Sequence, residues 1–321
     1  MTATHATTRR EFLGRSIGAG AAGLLAPAVL TNQARASAKA DAGKYEIGIY
    51  TRPWDKHDYR VALDAIAEAG FKHAGLMTTT MPSGRLVIST ATSEEEAVQV
   101  GEEVKKRGLD VLSVYGGGIR VSKSLEDGIA DVRKLIDNCV AAGAKSLLMG
   151  GIGNEELYQR YYKAIAECCD YAAEKGVPIT VKPHGGLNAT GPQCRKCIEL
   201  VGHKNFSLWY DPGNVFFYSN GELDPVNDAA DVDGLVTVGM CIKDFDMVVK
   251  DGKPTRDVWV TPGTGRVDFP KVLKTLRKGG FTGGHLVIEC VARGDGDLPT
   301  ILAEAKKARK FLEEVVAQVA S

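Results

Sequence analysis

Short apolar runs alternate with longer amphipathic segments along the chain from Tyr45 onward. Most of the short runs are continuously apolar, which is typical of parallel strands covered on both faces. The longer segments repeat apolar positions every three or four residues, the spacing of a helix with one buried face. Eight runs are predicted to be strands: Tyr45–Tyr50, His73–Met77, Asp110–Tyr115, Ser146–Met149, Pro178–Lys182, Ser207–Tyr210, Thr237–Ile242 and His285–Glu289.

Capping residues and glycines mark the ends of the predicted helices. Ser93 followed by Glu96 has the pattern of a capping box. Several helices end at a glycine just before the next strand, where glycine adopts the left-handed conformation without strain. Seven segments are predicted to be helices: Asp58–Ala69, Ser93–Arg107, Asp127–Ala142, Glu155–Lys175, Gly191–Val201, Phe269–Lys278 and Leu298–Val319.

The alternation of strands and helices predicts an α/β fold with a parallel sheet. Eight strands and seven helices within residues 41–321 fit a single-domain (β/α)₈ TIM barrel. The structural alternative is a doubly wound open sheet. No glycine-rich phosphate loop follows the first predicted strand, which disfavours the dinucleotide-binding version of that sheet.

Residues 1–40 are predicted to be a twin-arginine (Tat) signal peptide that the Tat export machinery recognises. Arg9-Arg10 precedes Phe12-Leu13, and a weakly apolar, Gly/Ala-rich stretch follows. Two small-residue cleavage patterns close this segment: Ala34-Arg35-Ala36 and Ala38-Lys39-Ala40. We therefore expect a periplasmic or otherwise exported protein; an uncleaved tail and a retained membrane anchor are the alternatives.

The charge balance disfavours nucleic acid as a partner. Lys plus Arg and Asp plus Glu both number 40, so no global positive field attracts nucleic acid.

The seven cysteines are an odd number for an exported chain. Cys194 and Cys197 form an isolated CxxC pair, without the second pair that a zinc site needs. We interpret the cysteines as thiols that pack between helices or lie at the surface.

The active site of such a barrel lies at the carboxyl ends of its strands. Lys182, Asp211, Lys243 and Glu289 close four different predicted strands, so they are predicted to converge as catalytic residues. For any one of them, a salt bridge that caps the barrel is an equal alternative. His184 is the expected proton-transfer partner, with a structural histidine as its alternative.

Other residues near these strand ends are suited to a sugar. Aromatic rings offer flat faces to sugar C–H groups, and polar side chains offer hydrogen bonds to hydroxyls. Arginines can also hold a phosphate or carboxylate in a two-point contact. The predicted substrate-binding residues are Arg52, Trp54, Tyr115, Asn214, Tyr218, Asp244 and Arg266.

Five motifs at the strand ends together resemble the sugar phosphate isomerase/epimerase superfamily of xylose isomerase-like TIM barrels. The resemblance covers nearly all of residues 45–315. The motifs are Lys182-Pro183-His184-Gly185, Asp211-Pro212-Gly213-Asn214, Cys241-Ile242-Lys243-Asp244, the segment from Gly263 to Phe269, and Ile288-Glu289.

The resemblance implies a divalent metal held by Glu, Asp, His and Glu on strands five to eight. Only Asp211 and Glu289 match that set, because Lys182 and Cys241 stand at the other two positions. The cofactor is therefore expected to be either none or a divalent metal bound through Asp211 and Glu289. We hypothesise that the Lys182 ammonium fills the metal position and polarises a carbonyl oxygen. A base or Schiff-base role is disfavoured because neighbouring carboxylates raise a lysine pKa.

The sequence thus predicts an exported sugar isomerase/epimerase-like enzyme. Its reaction would be proton transfer next to a carbonyl on a sugar or keto-sugar: isomerisation, epimerisation, or elimination and hydration, without a required metal. The alternative is a catalytically silent carbohydrate-binding barrel. An abasic-site nuclease is disfavoured because it needs a basic groove and a histidine-rich metal cluster.

Overall fold

Eight parallel strands form a closed barrel in the computed structural model, which describes residues 44–320. β1 pairs with β2 on one side and with β12 on the other, which closes the sheet. The predicted TIM barrel is therefore confirmed. The barrel strands are β1 (Tyr45–Tyr50), β2 (His73–Leu76), β5 (Asp110–Tyr115), β6 (Leu147–Met149), β7 (Ile179–Val181), β8 (Phe206–Tyr210), β9 (Val236–Ile242) and β12 (Gly284–Ile288).

Helices between the strands cover the outside of the barrel. One predicted helix is wrong in its extent: the segment Glu155–Lys175 is two helices separated by a turn at Glu167-Cys168, where the Cys168 N–H donates to the Ile165 carbonyl three residues back. The helices are α1 (Tyr59–Glu68), α2 (Glu94–Lys106), α3 (Leu125–Ala141), α4 (Glu155–Ala166), α5 (Cys169–Glu174), α6 (Gly191–Val201), α7 (Pro212–Tyr218), α8 (Pro225–Ala230), α9 (Phe269–Lys278) and α10 (Leu298–Ala320).

Caps at the helix starts follow the sequence closely. Ser93 accepts a hydrogen bond from the Glu96 N–H and so caps α2, but the Glu96 carboxylate binds the Ser83 hydroxyl rather than completing a capping box. The unpredicted helices α7 and α8 each begin at a proline that follows an aspartate cap, Asp211 and Asp224 respectively. Proline suits this first position because its missing N–H has no partner there in any case.

Two β-hairpins that the apolar pattern does not predict follow barrel strands β2 and β9. The first joins β3 (Thr78–Met81) to β4 (Gly84–Leu86), and the second joins β10 (Asp246–Lys250) to β11 (Lys253–Asp257). The second turns at Asp251-Gly252, both with positive φ, as a tight hairpin turn requires. Each hairpin follows the carboxyl end of its barrel strand.

The barrel interior is filled by side chains from alternate strand positions. Tyr50, Trp209 and Cys241 are fully buried within it. Gly75 leaves room for the Tyr50 ring, since a Cβ at this glycine would lie 2.3 Å from the ring. All seven cysteines of the chain are free and buried, so the expected surface thiols are not found.

The predicted signal peptide lies outside the described residues, and its export role stays a prediction. Within residues 44–320, no helix is both long enough and apolar enough to cross a membrane.

Candidate active site

Four buried charged residues meet at the mouth of the barrel, the end at which its strands terminate. Lys182 follows β7, Asp211 follows β8, Lys243 follows β9 and Glu289 follows β12. The two carboxylates are fully buried and each lysine is only 2% exposed. The structure therefore brings together the four residues that the sequence predicts to converge.

These residues form one network of ion pairs. The Lys182 Nζ lies 2.6 Å from Glu289 Oε2 and 3.5 Å from Asp211 Oδ2. The Lys243 Nζ lies 2.7 Å from Glu289 Oε1 and 3.1 Å from Asp211 Oδ2. Arg52 also pairs with Glu289 through its guanidinium, a contact that the sequence does not predict. We call these five residues the ion-pair cluster.

Asn214 holds part of this cluster in place. Its side-chain oxygen accepts a hydrogen bond from Lys243 Nζ at 2.8 Å, and its amide nitrogen donates to the Pro183 carbonyl at 2.6 Å. The Asn214 backbone N–H donates to Asp211 Oδ1, which caps α7. Asn214 is predicted to bind substrate, but in this structure it is buried and positions Lys243 and Asp211.

The charges of the cluster stabilise one another. Burial by itself would raise the pKa of Glu289, but Lys182, Lys243 and Arg52 hold that pKa well below its usual range. Burial would lower the pKa of both lysines, and the carboxylates Glu289 and Asp211 raise it instead. Both ammonium groups therefore stay protonated at neutral pH, which favours an electrostatic role over that of a Schiff-base amine.

The family metal is a poor fit to this arrangement. Ligand atoms of Asp211, Cys241 and Glu289 lie within 4.8 Å of one another. However, burial and the Glu289 charge raise the pKa of the Cys241 thiol well above its usual range, and its Sγ donates to Glu289 Oε2 at 3.0 Å. Both carboxylates are already paired with ammonium groups, whose charge opposes a divalent ion. Hard cations also require more oxygen ligands than this site offers.

His184 lies at the rim of the mouth, beside the cluster. The residue is exposed, and its ring lies between two aromatic rings, with centroid distances of 6.3 Å to Tyr115 and 6.0 Å to Tyr218. Partial desolvation, together with the positive charges of Lys182 and Lys243, lowers the pKa of His184. A neutral imidazole is able to accept a proton.

The tyrosines Tyr115 and Tyr218 are half-buried and border the same space. Glycines make room for both: a Cβ at Gly150 would lie 2.7 Å from the Tyr115 hydroxyl, and one at Gly185 would lie 2.5 Å from the Tyr218 ring. The structure thus places both predicted sugar-binding rings at the mouth.

Three other residues predicted to bind substrate have protein partners instead. Trp54 is fully buried in the hydrophobic core, so it offers no face to a ligand. Arg266 donates to the Gly221 carbonyl and lies over the Phe216 ring. The Asp244 carboxylate accepts backbone N–H bonds from Phe245, Gly263, Gly265 and Val267. For these three residues the structure does not favour the predicted role.

Trp259 is an aromatic residue beside the site that the sequence reasoning missed. It is half-buried, and its ring centroid lies 5.2 Å from the guanidinium carbon of Arg52 and 3.2 Å from that of Arg293. In the sequence, Trp259 is marked only by its position just before the segment from Gly263 to Phe269. The β10–β11 hairpin separates it from the end of β9, so it does not stand at a predicted strand end.

The closed barrel and the polar residues at its mouth define an enzyme-like (β/α)₈ scaffold. The chain belongs to the family described as Xylose isomerase-like TIM barrel, which matches residues 63–315.

Individual relatives are distant. An inosose dehydratase of Geobacillus thermodenitrificans is 25% identical over 65% of this chain and 77% of its own. D-psicose 3-epimerase from Clostridium cellulolyticum H10, solved with D-tagatose, has a TM-score of 0.64 and 14% identity, with 84% of this chain and 99% of that chain covered. A xylose isomerase domain protein from Planctomyces limnophilus has a TM-score of 0.64 and 18% identity, with 86% and 99% covered. At these identities the solved structures establish the fold alone.

Proposed function

We propose that this protein is a sugar isomerase/epimerase-like enzyme that transfers a proton next to the carbonyl of a sugar or keto-sugar without a required metal. The observation that carries the proposal is the ion pairing of Lys182, whose Nζ lies 2.6 Å from Glu289 Oε2 and 3.5 Å from Asp211 Oδ2, and we infer that its ammonium takes the place of a metal ion. Membership of the family, and the similarity to an inosose dehydratase and a sugar epimerase, support a sugar as substrate.

The chemistry follows from the protonation states. Neutral His184 accepts a proton from the carbon beside the substrate carbonyl. Negative charge then develops on the carbonyl oxygen, where the Lys182 ammonium stabilises it electrostatically. Return of the proton to the opposite face gives epimerisation. Its return to the former carbonyl carbon, with transfer of the neighbouring hydroxyl proton to the enolate oxygen, gives isomerisation. Loss of a β-hydroxyl as water, with the proton taken back from His184, gives elimination. Glu289 and Asp211 hold Lys182 in place for this role.

Two measurements test this function on the purified protein. Metal analysis should find no stoichiometric divalent metal, and EDTA should leave activity unchanged. Incubation of a panel of keto-sugars and inososes in D₂O should give deuterium at carbon, detected by NMR. A stoichiometric metal bound through Asp211 and Glu289 would contradict the metal-free mechanism. Thermal stabilisation by sugars without deuterium incorporation would instead identify a silent carbohydrate-binding barrel.

We also propose that the protein is exported through the Tat route, since Arg9-Arg10 precedes an apolar stretch. The test is a cell fractionation that compares the natural chain with Arg9→Lys/Arg10→Lys. The natural chain should leave the cytoplasm and the paired-lysine variant should remain there. Equal export of both chains would rule out recognition of this arginine pair.

A further inference from the structure

The ion-pair cluster carries more positive than negative charge. Lys182, Lys243 and Arg52 face only two carboxylates, Asp211 and Glu289, so three positive charges minus two negative charges leave a net charge of +1. Such an excess is costly in a buried site unless a ligand neutralises it.

Neighbouring ionisable groups leave this excess in place. Cys241 is a neutral thiol, since its pKa is raised, and His184 is neutral, since its pKa is lowered. Asp55 pairs with Arg293 at 3.1 Å and with the exposed Arg85 at 3.4 Å, so its negative charge does not offset the excess of the cluster. The carboxylate of Asp244 is bound by backbone N–H groups of the segment from Gly263 to Val267, outside the cluster.

Unused hydrogen-bond donors show where an anion would bind. Lys243 has three partners within 3.1 Å, which match its three donors: Asp211, Glu289 and Asn214. Arg52, by contrast, uses one of its guanidinium nitrogens on Glu289, and its side chain is 27% exposed at the mouth. Trp259 lies beside the same guanidinium. Arg52 therefore offers the most accessible free donors of the cluster.

We propose that the substrate is a sugar acid, a keto-sugar with one carboxylate, and that this carboxylate binds Arg52 while Lys182 faces the carbonyl oxygen. The assignment of the carbonyl to Lys182 rests on the proposed function; the carboxylate subsite does not. A single carboxylate neutralises the charge of +1, and a two-point contact matches the guanidinium. A phosphate dianion would reverse the charge to −1, so phosphorylated sugars should bind less well.

The test is isothermal titration of the purified full chain with matched neutral and acidic sugars. The pairs are D-fructose with D-fructuronate, D-tagatose with D-tagaturonate, and D-glucose with D-glucuronate; D-fructose 6-phosphate is the phosphate probe. In at least one pair the dissociation constant of the acid should be lower than that of its neutral partner by about tenfold or more. This ratio is the effect expected of one charge-assisted hydrogen bond. If in no pair the acid binds more tightly, or the phosphate binds best, the proposal is wrong.

Variants locate the subsite. Arg52→Gln should remove the preference for the acid, whereas Arg133→Gln, on the outer surface of α3, should keep it. Arg52→Lys retains the charge and should keep part of the preference, so it provides a second test if Arg52→Gln does not fold. Full preference for the acid in a folded Arg52→Gln variant would overturn the assignment.

Deuterium exchange into the same sugars separates this inference from the proposed function. If a sugar acid binds but no sugar exchanges deuterium, the proposed function is contradicted. If a neutral sugar exchanges deuterium while no sugar acid binds, this inference is contradicted.

Discussion

The Nζ of Lys182 lies 2.6 Å from Oε2 of Glu289, although their strands are not neighbours in the sheet. Lys182 follows β7 and Glu289 follows β12, with β8 and β9 between them in the barrel order. The pair therefore spans the mouth, and Asp211 and Lys243 come from the two intervening strands. Each of these four charges thus comes from a separate strand end.

Replacement of the bridging ammonium tests its role. Lys182→Met should lower the rate of deuterium exchange by about 10²–10³-fold, the usual effect of losing one group that stabilises transition-state charge. Lys182→Arg keeps the charge and should retain more of the rate. Circular dichroism and thermal melting check that both variants fold. Unchanged exchange in Lys182→Met would remove this lysine from the mechanism.

Restoring the family ligands should create a metal site. Lys182→Glu/Cys241→His places Glu, Asp, His and Glu at the four strand ends, and we expect it to bind Mn²⁺ with a stoichiometry near one per chain. Titration calorimetry measures the binding, and the natural chain is the matched control. Absence of Mn²⁺ binding in the folded double variant would contradict the prediction that these four strand ends can form a metal site.

The barrel and the convergence of four charged residues follow from the sequence because strand periodicity fixes which residues stand at the strand ends. Side-chain direction does not follow in the same way. Trp54 and Asp244 also stand near strand ends, yet one packs inward and the other anchors a loop. The contact of Arg52 with Glu289 and the place of Trp259 depend on long-range packing between β1, β12 and a hairpin whose apolar run, Met247–Val249, is only three residues long.

The pH profile of exchange tests His184 as the base. Because the pKa of His184 is lowered, its imidazole is still neutral when the pH falls below 6.5. We therefore expect kcat/KM to stay constant through pH 6.5 and to decrease only at lower pH, where the imidazole becomes protonated. His184→Gln should reduce exchange by about 10²-fold or more. His203→Gln, before β8 at the opposite end of the barrel, is the control. An acid limb at or above pH 6.5 would argue against this base.

Acid should destabilise the opposite end of the barrel through His285. Burial, together with the nearby positive charge of Lys145 and with His73, lowers the pKa of His285 to about 4, although the Glu46 carboxylate 2.9 Å away acts in the opposite direction. The folded state therefore takes up this proton only at a lower pH than the unfolded state does. The stability contributed by neutral His285 is complete above pH 6.5 and is lost as pH falls toward 4. Urea unfolding at several pH values should show a loss of about 1–3 kcal/mol across this window.

A variant isolates that histidine. His285→Gln removes the titrating group, so its stability should depend less steeply on pH between 6.5 and 4. His203→Gln should keep the slope of the natural chain. If His285→Gln keeps it as well, the acid sensitivity comes from other groups.

The Asp244 carboxylate should control the order of the segment from Gly263 to Val267. Asp244→Asn replaces an acceptor oxygen by a donor amide and should cost about 1–3 kcal/mol of stability. The amides of Gly263, Gly265 and Val267, which donate to Asp244, should lose protection from hydrogen exchange. Asp246→Asn, whose carboxylate accepts from the Met247 N–H, is the control. Unchanged protection would show that other contacts hold the segment.

The seven buried cysteines have a chemical consequence for the export that we propose. Oxidants and disulfides react with thiolates, and burial raises the pKa of thiols such as Cys139, Cys194 and Cys241, so the folded barrel presents little reactive sulfur. An unfolded chain would instead expose all seven to random cross-linking. Folding in a reducing compartment before passage to an oxidising one would therefore keep this sequence chemically homogeneous.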